Sequence, residues 1–193
     1  MLKARIGATI AVTMLLLAGC SKKEATPTIN NSMTSVMQPK AVVIWDTVSK
    51  AYNDNGDGLV AAKLSDADWK AMNEAAAEIK ARAEMFANDP KHLTVAAESE
   101  TIMGADAVGT NSAAGPEWRA VGAKEIQSRI DARPDLFAEK ARALIETMDG
   151  VYKATNAKDV AALYKVTANI DEVCDGCHEP FWGTDEPPPY PKK

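Results

Sequence analysis

Cys174, Cys177 and His178 stand within the pentapeptide Cys174-Asp175-Gly176-Cys177-His178 of a 193-residue chain that has only three cysteines and two histidines. Two thiols and an imidazole gathered this closely permit three kinds of chemistry. They can cycle between dithiol and disulfide or hold part of a zinc site. They can also attach a c-type haem, with both sulfurs forming thioethers to the porphyrin vinyl groups and His178 giving a neutral ring nitrogen to the iron. A closed zinc site needs four protein ligands, and only Cys20 and His92 remain to complete one, both far away in sequence and neither in a paired motif. A thioredoxin-type couple is expected beside a βαβ pattern, opening a helix whose N-terminus lowers the thiol pKa. No strand precedes this motif, which lies at the end of a segment with helical period. Haem attachment uses every donor, so one covalent haem c is the expected cofactor.

The elements that must hold these donors are helical. Residues 160, 163, 164, 167, 170, 174, 177 and 178 recur with the i, i+3, i+4, i+7 rhythm of one helix face. The spacing predicts a helix over 160–178, ended or bent at Pro180, in which Cys174, Cys177 and His178 continue the stripe of Val160, Leu163, Tyr164 and Ile170. A haem tethered there lies against the core.

Three further stretches carry the same period, and none alternates as a strand does, so the fold class is all-α. The first runs from about Asn31 to Tyr52, with an Asn or Ser as N-cap and Pro39 early in it, tolerated in a first turn or as a kink. The second opens at Ser65, which with Asp68 forms a capping box, and stops near Asp89-Pro90. The third begins at Pro134 as first helical residue and carries Phe137, Ala141, Leu144, Met148 and Val151 at bundle-like spacing. Between the second and third lies a long stretch rich in small residues, followed by an expected helix from about Pro116 to Ile130, whose Trp118 is a candidate to cover a haem edge. Residues 53–64 echo a calcium loop, but Asn53 and Leu64 occupy its first and twelfth positions, so a solvated Asx/Gly turn is expected instead.

The N-terminus bears on compartment. Lys3 and Arg5 precede a short apolar run of the secretory kind, which closes with Leu17-Ala18-Gly19-Cys20. That tetrapeptide resembles the lipobox of bacterial lipoproteins, which implies cleavage before Cys20, its lipidation, and a periplasmic protein held to a membrane. Ser21 after Cys20 favours the outer membrane. Residues 1–19 are thus read as a signal peptide, 20–29 as a tether, 30–182 as one helical haem-binding domain, and 183–193 as a Pro-rich tail. Removal of Lys3 and Arg5 takes Lys plus Arg from 22 to 20 against 27 Asp plus Glu, a net charge of −7. Nucleic acid is an improbable partner at that charge, and an acidic protein can dock to a basic redox partner.

A four-helix bundle with Cys-x-x-Cys-His on its last helix resembles cytochrome c′ and the related cytochrome c-556 group. The first helix adds to the likeness, with Met33, then Pro39, then Ile44-Trp45. The resemblance covers roughly residues 30–182 and implies an antiparallel up-down-up-down bundle with one covalent haem c and His178 as proximal ligand. It departs after His178, where Glu179-Pro180-Phe181-Trp182 replaces a continued basic helix. Met33, Met37 and His92 are the candidates for the sixth iron position, and the resemblance selects Met33 through its spacing to Pro39 and Trp45, with Met37 as fallback. The function expected is single-electron transfer to an unidentified partner protein. The alternatives are a five-coordinate haem protein that binds NO or CO, and a haem-free dithiol or metal-binding lipoprotein. A homodimer is compatible with all three. No nucleophile with base and orienting group stands out, so no enzyme is expected.

Overall fold

The computed structural model describes residues 26–100, 102 and 122–183. Among them every regular element is helical, and the one β-type pairing is an isolated antiparallel bridge between Tyr52 and Leu59. The fold class is all-α. The expected signal peptide, Cys20, Trp118 and residues 184–193 of the tail lie outside the described residues.

Thr28 opens the packed part of the chain. Its side chain accepts the Asn31 N–H at 3.0 Å and caps α1 (Ile29–Ser32), so the helix begins two residues before the expected Asn31. The N–H groups of Ile29 and Asn30 donate to the carbonyls of Thr94 and Val95 at 2.9 and 2.8 Å, which satisfies helix-end donors and ties in the segment after the second long helix. Met33–Met37 then form a π turn, and α2 (Gln38–Ala51) continues from it. Pro39 accounts for the widening. It has no N–H for the carbonyl of Ser35 and its ring would press on that group, so the chain takes up an extra residue and Gln38 N–H reaches back to Met33 O. Pro39 thus stands in the first turn of α2, one of the two places expected of it, with the π turn directly before it.

The turn that follows is held by its own side chains. Asn53 accepts the Asp57 N–H at 3.1 Å and donates Nδ2–H to Asp57 at 2.7 Å, while Gly56 takes φ +74°, a left-handed conformation that glycine adopts without strain. Ser65 and Asp68 form the expected capping box at the head of α3 (Asp66–Asn88). Of the helix expected from about Pro116 to Ile130, residues 116–121 lie outside the described residues, and α4 spans Ala123–Ala132, with Gly122 in extended conformation before it. Pro134 is the first residue of α5 (Pro134–Ala157), as its fixed φ favours.

The last predicted helix is two. α6 (Val160–Thr167) and α7 (Ile170–Phe181) are separated at Ala168 and Asn169. Thr167 donates its hydroxyl to the carbonyls of Leu163 and Tyr164 at 2.9 and 3.3 Å and competes with the ladder there, while Asn169 departs from helical geometry at φ −100° and ψ −2°. Asp171 and Glu172 then favour a new helix start by facing its positive dipole end.

Packing is centred on α5, which lies against α3 along most of its length and also touches α6, α7 and α4; α2 packs on α3 and α6. The α3–α5 contact is close because both helices present alanines there, Ala75, Ala76 and Ala83 on one and Ala141 and Ala154 on the other, all buried. Met72, Met148, Ile44 and Leu163 fill the space between. At one end Phe137 stacks against both Phe86 and Phe181, with centroids 5.8 and 5.3 Å apart, and so joins α3, α5 and α7.

Candidate functional site

A cavity of about 390 Å³ opens between these helices, and the walls are almost wholly apolar. Cys174, Cys177 and His178 all line it from α7, and Met33 and Met37 line it from the π turn. Five of the six candidate donors among the described residues, all but His92, thus share it. Ile79, Ala83 and Phe86 of α3 and Phe137, Ala141 and Leu144 of α5 form the sides. Val95 and Ile126 close it further, held together by Gln127, which accepts the Val95 N–H at 2.9 Å and donates to Leu93 O at 3.1 Å.

Helix periodicity puts the motif on this wall: Cys174, Cys177 and His178 follow Ile170 and Val173 on the inner face of α7. The two sulfurs are free thiols. Burial pushes the Cys174 thiol up to about 11, helped by the negative charges of Asp171 and Asp175. Burial likewise pushes Cys177 up to about 12, with Cys174 adding to the rise and the Lys140 ammonium opposing it. Neither thiol is poised to ionise near neutrality, unlike the thiolate-rich cysteines of redox catalysts. Burial lowers the pKa of His178 against the opposing charge of Asp175, which favours the neutral imidazole that can ligate a metal. Its ring meets Trp182 edge to face at 5.1 Å.

The end of α7 is fixed from α4. Pro180 cannot donate to Gly176 O, and the helix stops one residue later, with Trp182 N–H donating to His178 O at 2.7 Å. Arg133 donates to Pro180 O and lies 5.2 Å over the Phe181 ring, and Arg129 donates to Gly183 O at 2.6 Å. Two guanidinium groups thus meet the negative dipole end of the helix that carries the motif.

Met37 is buried and Met33 half-buried, and both face the cavity. His92 does not. It sits exposed on the short turn Pro90–His92 with Nδ1 2.6 Å from Asp89, away from the cavity wall, so its geometry gives no support for an iron ligand. Among the described residues no three His, Cys, Asp or Glu side chains gather as a metal-ion cluster, which leaves the zinc alternative without a ligand set there. Residue-level reading had missed Lys140 and Trp182 in the wall. Lys140 was legible in principle, three residues after Phe137 and four before Leu144 on a stripe already identified.

Comparison with protein families, with curated proteins and with solved structures gave no match to this chain.

Proposed function

We propose that the protein is a c-type cytochrome that carries single electrons, with one haem c bound through Cys174 and Cys177. The observation that carries this reading is the convergence of both thiols, His178 and two methionines on one apolar cavity. The donor set fits the group: sulfurs three residues apart on a helix, an adjacent neutral imidazole, and apolar walls for a flat macrocycle. When bound, the haem supplies an iron centre that gains and loses one electron. His178 serves as proximal ligand, and Met33 is the chosen sixth ligand, with Met37 as fallback. The walls from α3 and α5 exclude water, which governs the potential along with the axial pair. The helices are read as an up-down-up-down bundle in which α1 with α2, α3, α5, and α6 with α7 are the four limbs. Residues 1–19 and Cys20 favour a periplasmic, lipid-anchored protein, with the outer membrane preferred.

A visible spectrum, oxidised and reduced, with and without carbon monoxide, tests this reading. A Soret band that survives denaturation and acid-acetone extraction is expected, and its loss from the Cys174→Ala/Cys177→Ala double variant. A wild-type protein, made where haem attachment operates, that yields no covalent haem would reject it. The half-buried position of Met33 favours one second reading, in which the iron is five-coordinate and binds NO or CO. A high-spin wild type that takes up carbon monoxide readily would select it. The raised thiol pKa values weigh against a haem-free dithiol couple.

A further inference from the structure

We propose that Lys140 is the positioning cation of the cavity and pairs with a carboxylate of its occupant, an inference that rests on the haem reading above. Haem is an apolar plate that carries two carboxylates, and an apolar cavity offers a carboxylate nothing in place of water. Among the described residues that line the cavity, Lys140 is the one lysine, arginine, aspartate or glutamate. Thr34, a polar neighbour in the wall, is already committed, donating its hydroxyl to Asn30 O at 2.9 Å.

The position of Lys140 is fixed by α5. It stands one turn from Phe137 and one from Leu144, both of which line the cavity, so its stem runs along the apolar wall. The side chain is half-buried. Among the described residues it makes no hydrogen bond and no ion pair. Lys40 and Lys80 meet Glu78 and Asp149, each at 2.6 Å, and the helix lysines that like Lys140 make no such pair among the described residues, Lys124, Lys153 and Lys165, do not line the cavity. A lysine in the wall of an apolar cavity, with no protein carboxylate to meet among the described residues, has its natural partner in a carboxylate that the occupant brings.

The test uses the mature holoprotein and three chains: wild type, Lys140→Met and Lys140→Arg. Two readouts are taken, the midpoint potential and the resonance Raman band of haem propionate bending, which reports hydrogen bonding at the carboxylates. In Lys140→Met the potential falls, because a positive charge that favours the reduced state is gone, and the propionate band shifts. Lys140→Arg keeps both near wild type. A simple through-space charge effect would move the potential and leave the band in place, so an unmoved band in Lys140→Met with haem still attached overturns the inference while the haem reading stands. Loss of haem from Lys140→Met but not from Lys140→Arg supports it, since the charge separates the two; loss from both overturns it. Wild type without covalent haem removes the reading beneath it and the inference together.

Discussion

Gly150 on α5 faces Val166 on α6 so closely that a Cβ built on Gly150 would lie 2.8 Å from Val166 Cγ2. Glycine inside a long helix costs about 1 kcal/mol relative to alanine, so its place here is explained by the neighbour and not by helix propensity. Val166 is β-branched and cannot swing aside freely. Gly150→Ala should therefore destabilise the protein by about 1–3 kcal/mol despite the better helix former. Chemical denaturation checks this. Adding Val166→Ala should recover part of the loss, and no recovery in the double variant would mean that the clash lies elsewhere.

The clamp on α7 makes a second prediction. Arg133→Ala removes both the cation over Phe181 and the donor to Pro180 O, and should cost about 1–2 kcal/mol, with the low end set by the exposure of the guanidinium. Amide hydrogen exchange should show faster opening at 179–183 than in α3. Unchanged exchange at this end of α7 would remove Arg133 as its anchor.

The two methionines separate by burial. Met37 is buried, so Met37→Ala should mainly destabilise, by about 2–5 kcal/mol. Met33 is half-buried on a π turn, a backbone form often found at functional sites, and Met33→Ala should cost less stability. Under the haem reading the wild type is low-spin, and Met33→Ala turns high-spin, binds carbon monoxide readily and loses potential. A wild type already high-spin and unaltered by Met33→Ala would transfer the case to the gas-binding reading.

Acid should loosen the first helix at a single ion. Glu100 accepts the Thr28 hydroxyl at 2.7 Å and the Ala97 N–H at 3.2 Å, and the Thr28 bond is the main cause that holds its carboxyl below the ordinary value of 4.5. A depressed folded pKa gives stability that is present above 4.5 and lost as pH falls through the lower, folded value. Glu100→Gln should thus be less stable than wild type at neutral pH, and the difference should shrink towards zero on acidification. Stability curves measured at neutral and at strongly acid pH decide it, and a difference that persists in acid would contradict the assignment.

The sequence by itself determined those features whose signals lie within a few residues. Ser65 with Asp68 marked the head of α3, Pro134 marked that of α5, and the pattern Phe137, Ala141, Leu144, Met148 identified the inner face of α5, because caps and periodicity act through neighbouring backbone and successive turns. Cys174, Cys177 and His178 were legible as one set for the same reason, since three positions three and four apart share a face in any helix. The tertiary structure decided the rest. The N-cap at Thr28 depends on the segment Thr94-Val95, which receives the first N–H groups of α1 from far along the chain. The stripe read across 160–178 was continuous in sequence, yet Thr167 and Asn169 broke it, leaving α6 to pack on α2 and α5 and α7 on α4 and α5. The pairing of the motif with Met33 and Met37 across one cavity, and the place of Lys140 in its wall, required helices distant in sequence to meet. Those contacts are non-local, and burial in a shared core fixes them where propensity alone cannot.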